Sequence, residues 1–170
     1  MAQKLITRDL MMNFKNSLTM WWQKNHNIFP HHFFILFVIL ILVGLVDSSY
    51  LAALHIRGVA PTCNVLKGCE QVATSVYSSL FSVPVAFFGL AYYMFLFLFV
   101  VYIWERQRSH LFHYLIGIST IGLLASIYFF YLQVVVIHAL CLYCIISGID
   151  TLIFWLLATQ LIRFNRQNII

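Results

Sequence analysis

The chain has 170 residues, of which 62% are hydrophobic and 9% are charged, and its formal net charge is +5. In a soluble domain about a quarter of the residues are charged. This chain has too few charged residues to form a water-facing surface, which excludes soluble globular proteins. The length is enough for one domain. The chain is therefore predicted to lie in a lipid bilayer, and its positive charge is interpreted as a signal of membrane orientation rather than of nucleic-acid binding.

The first predicted element is an N-terminal segment of polar or mixed character, residues 1–32. Apolar residues recur in it at helical spacing around Lys15, which is typical either of a short helix on the membrane surface or of a partly ordered tail. They are Leu10, Met11, Phe14, Leu18, Trp21 and Trp22. A secretory signal peptide is not expected here, because the hydrophobic run that follows is longer than the core of such a peptide.

Four apolar runs follow, each long enough to cross about 30 Å of hydrocarbon as a helix of about 20 residues. They cover residues 33–55, 84–104, 111–133 and 139–161. The last two are separated at Gln133–His138, where polar side chains interrupt the apolar run. Because backbone groups in lipid need internal partners, each run is predicted to be helical. The predicted fold is an all-α bundle of four transmembrane helices, residues 33–162, followed by a tail at 163–170.

Basic residues are distributed unequally between the two sides of this bundle. Eight of the 10 Lys and Arg residues lie in the N-terminal segment, the connection between spans two and three, and the C-terminal tail. They are Lys4, Arg8, Lys15, Lys24, Arg106, Arg108, Arg163 and Arg166. Only Arg57 and Lys67 belong to the opposite side. Since basic residues favour the cytoplasmic side, both termini are predicted to be cytoplasmic, with the first loop on the exterior or luminal side.

All four cysteines fall on the predicted exterior side, which is the oxidising side of the membrane. Cys141 and Cys144 form a Cys-x-x-Cys motif at the head of the fourth span, where positions i and i+3 share one helix face. The positive end of the helix dipole favours thiolates there, which suits thiol–disulfide exchange. Cysteines in membrane helices are also often inert small hydrophobic residues, so the motif alone leaves a structural role open.

The loop between spans one and two contains the second pair, Cys63 and Cys69, on either side of a Lys-Gly turn. After this pair, Val72, Val76 and Leu80 repeat every four positions, which predicts a short amphipathic half-helix at the membrane surface. Such a half-helix would hold Cys69 near the head of span four and leave Cys63 on a mobile segment. The alternatives are a static disulfide across the loop and, with less support, a tetracysteine zinc site. We predict no metal ligands.

Two acidic residues are predicted to lie inside the spans, where burying a charge costs several kcal/mol. Asp47 in span one and Asp150 in span four each lie about two helical turns inside the exterior end, so their depths in the membrane are similar. Two interpretations remain open. The carboxyl groups either form a polar patch near a proton-coupled site, or each is neutral or hydrogen-bonded to a neighbouring Ser or Tyr side chain.

The order of these motifs resembles that of the vitamin K epoxide reductase family, particularly its bacterial members, over about residues 44–150. The resemblance rests on "GLVDSSYL" in span one, the two loop cysteines with Ser75 six positions further on, "SVYSSLFSVPVAFFGLAYY" leading into span two, and "CLYC" opening span four. Ser82 stands where bacterial members usually have glycine. The thioredoxin-like domain that many members carry does not follow span four. In DsbB-type quinone oxidases, whose chemistry is similar, the cysteine motifs occur in the reverse order.

The resemblance implies a membrane thiol oxidoreductase that supports disulfide bond formation. It would pass electrons from a separate thioredoxin-fold (DsbA-like) partner to a quinone of the ubiquinone, menaquinone or phylloquinone type. By motif, Cys63 would exchange with the partner and Cys69 would relay to Cys141. Cys144 would face the quinone, and Ser75 would support the electron-transfer or quinone region. The alternatives are reduction of vitamin K quinone or epoxide, and a non-enzymatic four-span protein with static disulfides.

A candidate quinone surface lies below the Cys-x-x-Cys motif on the fourth span. Cys144, Ser147, Gly148 and Thr151 follow the i, i+3, i+4, i+7 spacing of one helix face. They form a small, slightly polar stripe along which an aromatic ring could lie, and we predict them as cofactor-binding residues. Stripes of small residues also serve ordinary helix packing in membranes, which is the alternative.

Overall fold

The structure, a computed structural model, describes residues 29–61, 63, 68–80 and 83–167. In chain order the elements are α1 (His31–Ile56), the short α2 (Cys69–Ala73), β1 (Ser79–Leu80), β2 (Val83–Pro84), α3 (Val85–Arg106), α4 (His110–Tyr131) and α5 (Leu142–Gln167). The four long helices are each apolar and long enough to cross a membrane. The predicted all-α four-helix membrane bundle is therefore confirmed. The apolar run at residues 10–22, predicted as a surface helix or a tail, lies outside the described ranges.

The largest difference from the predicted spans lies at the junction between the third and fourth helices. The helix of the third span does not end at Gln133 but continues as a wider π-helical turn, Leu132–Ile137, and α5 begins at Leu142 rather than at residue 139. The Gln133 side chain is buried and hydrogen-bonded, so a polar residue that interrupts the apolar sequence does not interrupt the helix. Single π-helical turns of this kind often occur at functional sites.

The loop between α1 and α3 contains less helix than its apolar repeat predicts. The helix α2 ends at Ala73, and a 3₁₀ turn follows at Val76–Ser78. Between them Ser75 has an extended backbone, with φ −68° and ψ 156°. The repeated residues are Val72, Val76 and Leu80. They do not share one helix face, so the half-helix is limited to α2, and the chain then reaches α3 through the small antiparallel pair β1–β2.

The hydrophobic core is centred on the end of the bundle where the chain enters α1. Phe29 is fully buried, and its ring centroid lies 6.0 Å from Phe37, 5.9 Å from Trp104 and 5.7 Å from Phe112. Its backbone N–H donates to Oε1 of Gln107 at 3.0 Å, which fixes the start of α1 against the end of α3. We call this cluster the aromatic end, consisting of Phe29, Phe37, Trp104, Phe112 and Phe154.

Two glycines permit close packing between the long helices. α1 packs mainly against α3 and α4 against α5, while α1 also contacts α5. A side chain at Gly44 of α1 would overlap the ring of Tyr93 on α3. A side chain at Gly122 of α4 would overlap Tyr92 in the same way. Small residues allow membrane helices to approach one another closely, and here they make room for two adjacent tyrosines on α3.

The aromatic end generates a stability prediction. Phe112→Ala should lower the free energy of unfolding by about 3–5 kcal/mol, because truncating a buried phenylalanine leaves a cavity. The measurement is a denaturant titration of the purified protein in mixed micelles. Phe130→Ala is the control on the same helix, since Phe130 is 52% exposed, and its effect should stay within about 0.5 kcal/mol. Equal effects of the two substitutions would contradict the assignment of the core.

Candidate active site

The two loop cysteines form a disulfide at the end of the bundle opposite the aromatic end. Cys63 and Cys69 are bonded to each other, with their Cα atoms 5.9 Å apart. Cys63 is half-buried, whereas Cys69, the first residue of α2, is 1% exposed. One sulfur of the disulfide is therefore more accessible from outside than the other. We call this end of the bundle the cysteine end.

The loop lies directly on the backbone that leads into α5. The backbone N–H of Leu142 donates to Sγ of Cys69 at 3.4 Å, so Cys69 lies beside the residue that follows Cys141. A Cβ atom at Gly68 would be 2.6 Å from the backbone nitrogen of Leu140 and 2.7 Å from its carbonyl oxygen. A residue with a side chain cannot fit there unless the backbone moves. Glycine at this position therefore permits the contact between the two cysteine-bearing segments.

The second pair, Cys141 and Cys144, consists of free thiols at the head of α5. Cys141 is 2% exposed and immediately precedes the helix, while Cys144 is half-buried one turn further on. A hydrogen bond from the Cys144 side chain lowers the pKa of Cys141 to about 7, and the backbone N–H groups of Tyr143 and Cys144 act in the same direction. Tyr143 packs against Tyr50 of α1, with ring centroids 5.2 Å apart. Cys141 is thus suited to act as a thiolate at neutral pH.

Gln133 holds the segment that carries Cys141 in place. The Gln133 side chain is 3% exposed, and its Oε1 accepts the backbone N–H of Cys141 at 2.9 Å. Its backbone carbonyl accepts the N–H of Ala139 at 3.0 Å. His138, the next residue after the π-helical turn, adopts a left-handed conformation with φ 53°, which reverses the chain. One buried glutamine therefore connects the end of the third span to the reactive head of the fourth.

A cavity of about 840 Å³ lies at the cysteine end between the loop and the ends of the four long helices. Residues from all of these elements line it, including Asp47, Ser75, Gln133, Cys141, Cys144 and Ser147. Its volume lies within the range of about 300–1,000 Å³ that is typical of small-molecule sites. The cavity therefore brings a ligand-sized space together with the more exposed sulfur of the Cys-x-x-Cys pair.

The structure brings some of the predicted site residues together at this cavity and places others away from it. Ser75 lines the cavity, and its hydroxyl donates to the Val72 carbonyl at 2.8 Å. Ser147 lines it as well, but Gly148 and Thr151 do not. A side chain at Gly148 would meet open space. Residues adjacent along a helix point about 100° apart, so Ser147 faces the cavity while Gly148 does not.

Two side chains near the cavity have contacts that sequence reasoning missed. Gln133 was visible only as a polar interruption eight positions before Cys141. Tyr93 gave no signal, since tyrosine is common in membrane helices. Its hydroxyl lies 3.2 Å from Oγ of Ser147 and 3.3 Å from Oγ1 of Thr151. Thr151 does not line the cavity, but its hydroxyl is hydrogen-bonded to Tyr93, which also contacts the cavity-lining Ser147.

The two acidic residues occupy different environments. Asp47 is half-buried and lines the cavity. Asp150 is 4% exposed, and neither carboxyl oxygen has a hydrogen-bond partner within the part of the chain that the structure describes. Of the interpretations left open, hydrogen bonding to a Ser or Tyr side chain is not found for Asp150, whereas a neutral carboxyl and a polar patch both stay open. Tyr93 and Asp47 interact electrostatically with Asp150.

The close approach of Gly68 to Leu140 leads to a crosslinking prediction. In a Cys63→Ala, Cys144→Ala background, mild oxidation should join Cys69 to Cys141. Adding Gly68→Ala should lower the yield about tenfold, since overpacking by one methyl group costs about 1–3 kcal/mol. The products are quantified by mass spectrometry of unreduced digests.

The matched control is Gly117→Ala, because a Cβ there meets nothing within 4 Å. This substitution should leave the crosslink unchanged. Equal yields with and without Gly68→Ala would contradict the docking of the loop on the head of α5.

Comparison with known proteins agrees with this arrangement of cysteines. The sequence model described as "Vitamin K epoxide reductase family" matches residues 35–159. The matched region contains all four cysteines, the cavity-lining Ser75 and Ser147, and most of the membrane bundle. No curated protein matches the chain. The chain therefore belongs to the vitamin K epoxide reductase family, whose members are membrane oxidoreductases that act in thiol–disulfide exchange or quinone reduction.

Proposed function

We propose that this protein is a quinone-dependent thiol–disulfide oxidoreductase that supports disulfide bond formation. It takes electrons from the dithiol of a separate thioredoxin-fold protein and passes them through two cysteine pairs to a quinone. The observation that carries the proposal is the contact between Cys69 and the head of α5, where its sulfur accepts the N–H of Leu142 at 3.4 Å. A relay between two disulfides requires such an approach, since bridged Cα atoms lie within about 7 Å.

The first exchange takes place at the accessible sulfur of the loop pair. A thiolate of the reduced partner attacks Cys63, the Cys63–Cys69 bond breaks, and Cys69 is released as a thiolate. The partner's second thiolate then attacks its own sulfur in the mixed disulfide and releases Cys63. The partner is oxidised and the loop pair is reduced by two electrons. The half-buried position of Cys63 and the burial of Cys69 support this division of roles.

The second exchange transfers the electrons to the head of α5. The Cys69 thiolate attacks Cys141 of an oxidised Cys141–Cys144 pair, and Cys144 is released as a thiolate. Cys63 then attacks Cys69, which restores the loop disulfide and releases Cys141. A hydrogen bond from Cys144 holds the pKa of Cys141 at about 7, so Cys141 is a good leaving group in this step.

The last step transfers two electrons and two protons to the quinone, which is the terminal substrate. The Cys141–Cys144 dithiol becomes a disulfide and the quinone becomes a hydroquinone. The cavity of about 840 Å³ supports this assignment, because it is of ligand size and Cys144 lines it together with both apolar and polar side chains. Ser75 and Ser147 offer hydroxyl groups from two sides of the same space.

The proposal includes an orientation in the inner (cytoplasmic) membrane. The cysteine end faces the periplasm or exterior, and both termini are cytoplasmic. The distribution of basic residues supports this orientation, since Arg106, Arg108 and Arg163 lie toward the aromatic end whereas Arg57 follows α1 at the cysteine end. The exterior side is also the compartment in which disulfides persist.

The orientation leads to a labelling prediction. In intact cells treated with a reductant, a membrane-impermeant maleimide should label Cys63 or Cys69 from outside. It should not label the cysteine introduced by Ser109→Cys, because Ser109 precedes α4 on the cytoplasmic side. Labelled peptides are identified by mass spectrometry. Labelling of the introduced cysteine without labelling of the loop would reverse the orientation.

The relay leads to an activity prediction. Replacing any one of the four cysteines with alanine should reduce quinone-dependent oxidation of a reduced thioredoxin-fold substrate to background, because the steps are in series. In Cys63→Ala, Cys144→Ala the bond between Cys69 and Cys141 should persist, since neither Cys63 nor Cys144 is present to displace it. Membranes are alkylated and digested without reductant, and the joined peptides are identified by mass spectrometry.

Thr159→Ala, on α5 near the aromatic end, is the control that should keep normal activity. A normal rate of quinone reduction by Cys144→Ala would show that Cys144 does not face the quinone. Failure of Cys63→Ala, Cys144→Ala to form the Cys69–Cys141 product would favour a static loop disulfide over a relay. A dominant Cys63–Cys141 product in Cys69→Ala, Cys144→Ala would keep the relay and exchange the roles of the two loop cysteines.

A further inference from the structure

Asp150 is buried in the centre of the bundle without the partners that a charged carboxylate needs. It is 4% exposed, and neither carboxyl oxygen accepts or donates a hydrogen bond within the described residues. Ionising a side chain inside a membrane bundle costs several kcal/mol, so burial without a partner favours the protonated carboxyl. Ionisable residues in this position commonly belong to ion or proton pathways. The proposed relay of cysteines does not use Asp150.

The groups around Asp150 come from two other helices. On the elements packed against α5, the described titratable side chains that interact with Asp150 are Asp47 on α1 and Tyr92 and Tyr93 on α3. Tyr93 is itself buried, at 3% exposed. Because Gly44 has no side chain, the ring of Tyr93 can occupy the space beside it. The position of Tyr93 beside Asp150 is therefore built into the packing of α1 and α3.

Hydroxyl groups lie between the surroundings of this buried carboxyl and the cavity. The hydroxyl of Tyr93 lies 3.2 Å from Oγ of Ser147 and 3.3 Å from Oγ1 of Thr151, which is adjacent to Asp150 in the chain. Ser147 lines the same cavity as Cys144. Hydroxyl groups both donate and accept hydrogen bonds, so a chain of them can pass a proton in either direction. The hydrogen-bonded part of the path runs from Tyr93 through Ser147 to the cavity, and Asp150 adjoins it through its electrostatic interaction with Tyr93.

We infer that Asp150 is a proton reservoir for quinone reduction, serving the cavity through Tyr93 and Ser147. The inference rests on the proposed function. Oxidation of the two thiols to a disulfide releases two electrons and two protons, and the quinone takes up two of each to become a hydroquinone. The neutral Asp150 carboxyl supplies one proton towards the quinone oxygen and regains one from the thiols. The other proton passes within the cavity, so Asp150 returns to its starting state after each turnover.

The inference is tested with Asp150→Asn, which keeps the size and polarity of the side chain but cannot exchange a proton. The purified protein is given a reduced thioredoxin-fold substrate and a short-chain quinone. Quinone reduction should fall about 100-fold, the lower range for a positioned proton donor or acceptor. Without quinone, the rate of thiol–disulfide exchange between the substrate and the loop pair should equal that of the wild type. This rate is measured by alkylating the free thiols. Asp150→Glu should restore part of the quinone activity.

Two measurements distinguish proton transfer from a merely structural role. Asp150→Asn should change both the maximal rate of quinone reduction and the dependence of that rate on pH. Infrared difference spectra between oxidised and reduced protein should contain a protonated carboxyl band that Asp150→Asn removes and the control Glu105→Gln retains. Glu105 is exposed near the aromatic end. Tyr93→Phe removes the connecting hydroxyl, so it should slow quinone reduction while keeping the carboxyl band.

The outcomes separate the inference from the function on which it rests. If the wild-type protein does not reduce quinone, the proposed function is wrong. If the wild type is active and Asp150→Asn has the same rate and pH profile, Asp150 is not a proton reservoir. A carboxyl band that remains in Asp150→Asn also overturns the inference. If Asp150→Asn does not accumulate in membranes, Tyr93→Phe decides, and an unchanged rate for it contradicts the path.

Discussion

The reactive part of this protein depends on one close contact between two stretches of backbone. Gly68 lies so near Leu140 that no side chain fits between them, and this proximity places the Cys69 sulfur on the N–H of Leu142. The head of α5 can receive the loop because Gln133 holds the Cys141 N–H from the other side. A surface loop, a helix head and the end of the third span are thus coupled through a few backbone groups.

The sequence predicted the four helices because a bilayer sets the length and polarity of anything that crosses it. It failed at the junction after α4, where Gln133 is a polar residue whose partner is a backbone group eight positions away. Hydropathy shows that a residue is polar but not whether its side chain has a hydrogen-bond partner inside the protein. The apolar repeat after Cys69 also overstated the half-helix, because the extended backbone at Ser75 ends a helical pattern that the spacing alone would continue.

Motif order predicted the cysteines and Ser75 as site residues, whereas the cluster around Asp150 was only partly visible in the sequence. In a soluble protein an amphipathic pattern tells which helix face is buried. In lipid the outer and inner faces are both apolar, so the rotation of each helix is not encoded in its hydropathy. The meeting of Tyr93 with Ser147 and Thr151 depends on that rotation. The predicted stripe on α5 was for the same reason only partly aligned with the cavity.

The aromatic end and the cysteine end divide the bundle along its axis. Large rings fill the interior at one end, around Phe29, and a cavity occupies the other. Packing free energy is therefore concentrated away from the reacting sulfurs. Local opening of a protein requires only the stability of the part that opens, rather than that of the whole fold. Opening the cysteine end should therefore require less free energy than separating the four helices at the aromatic end.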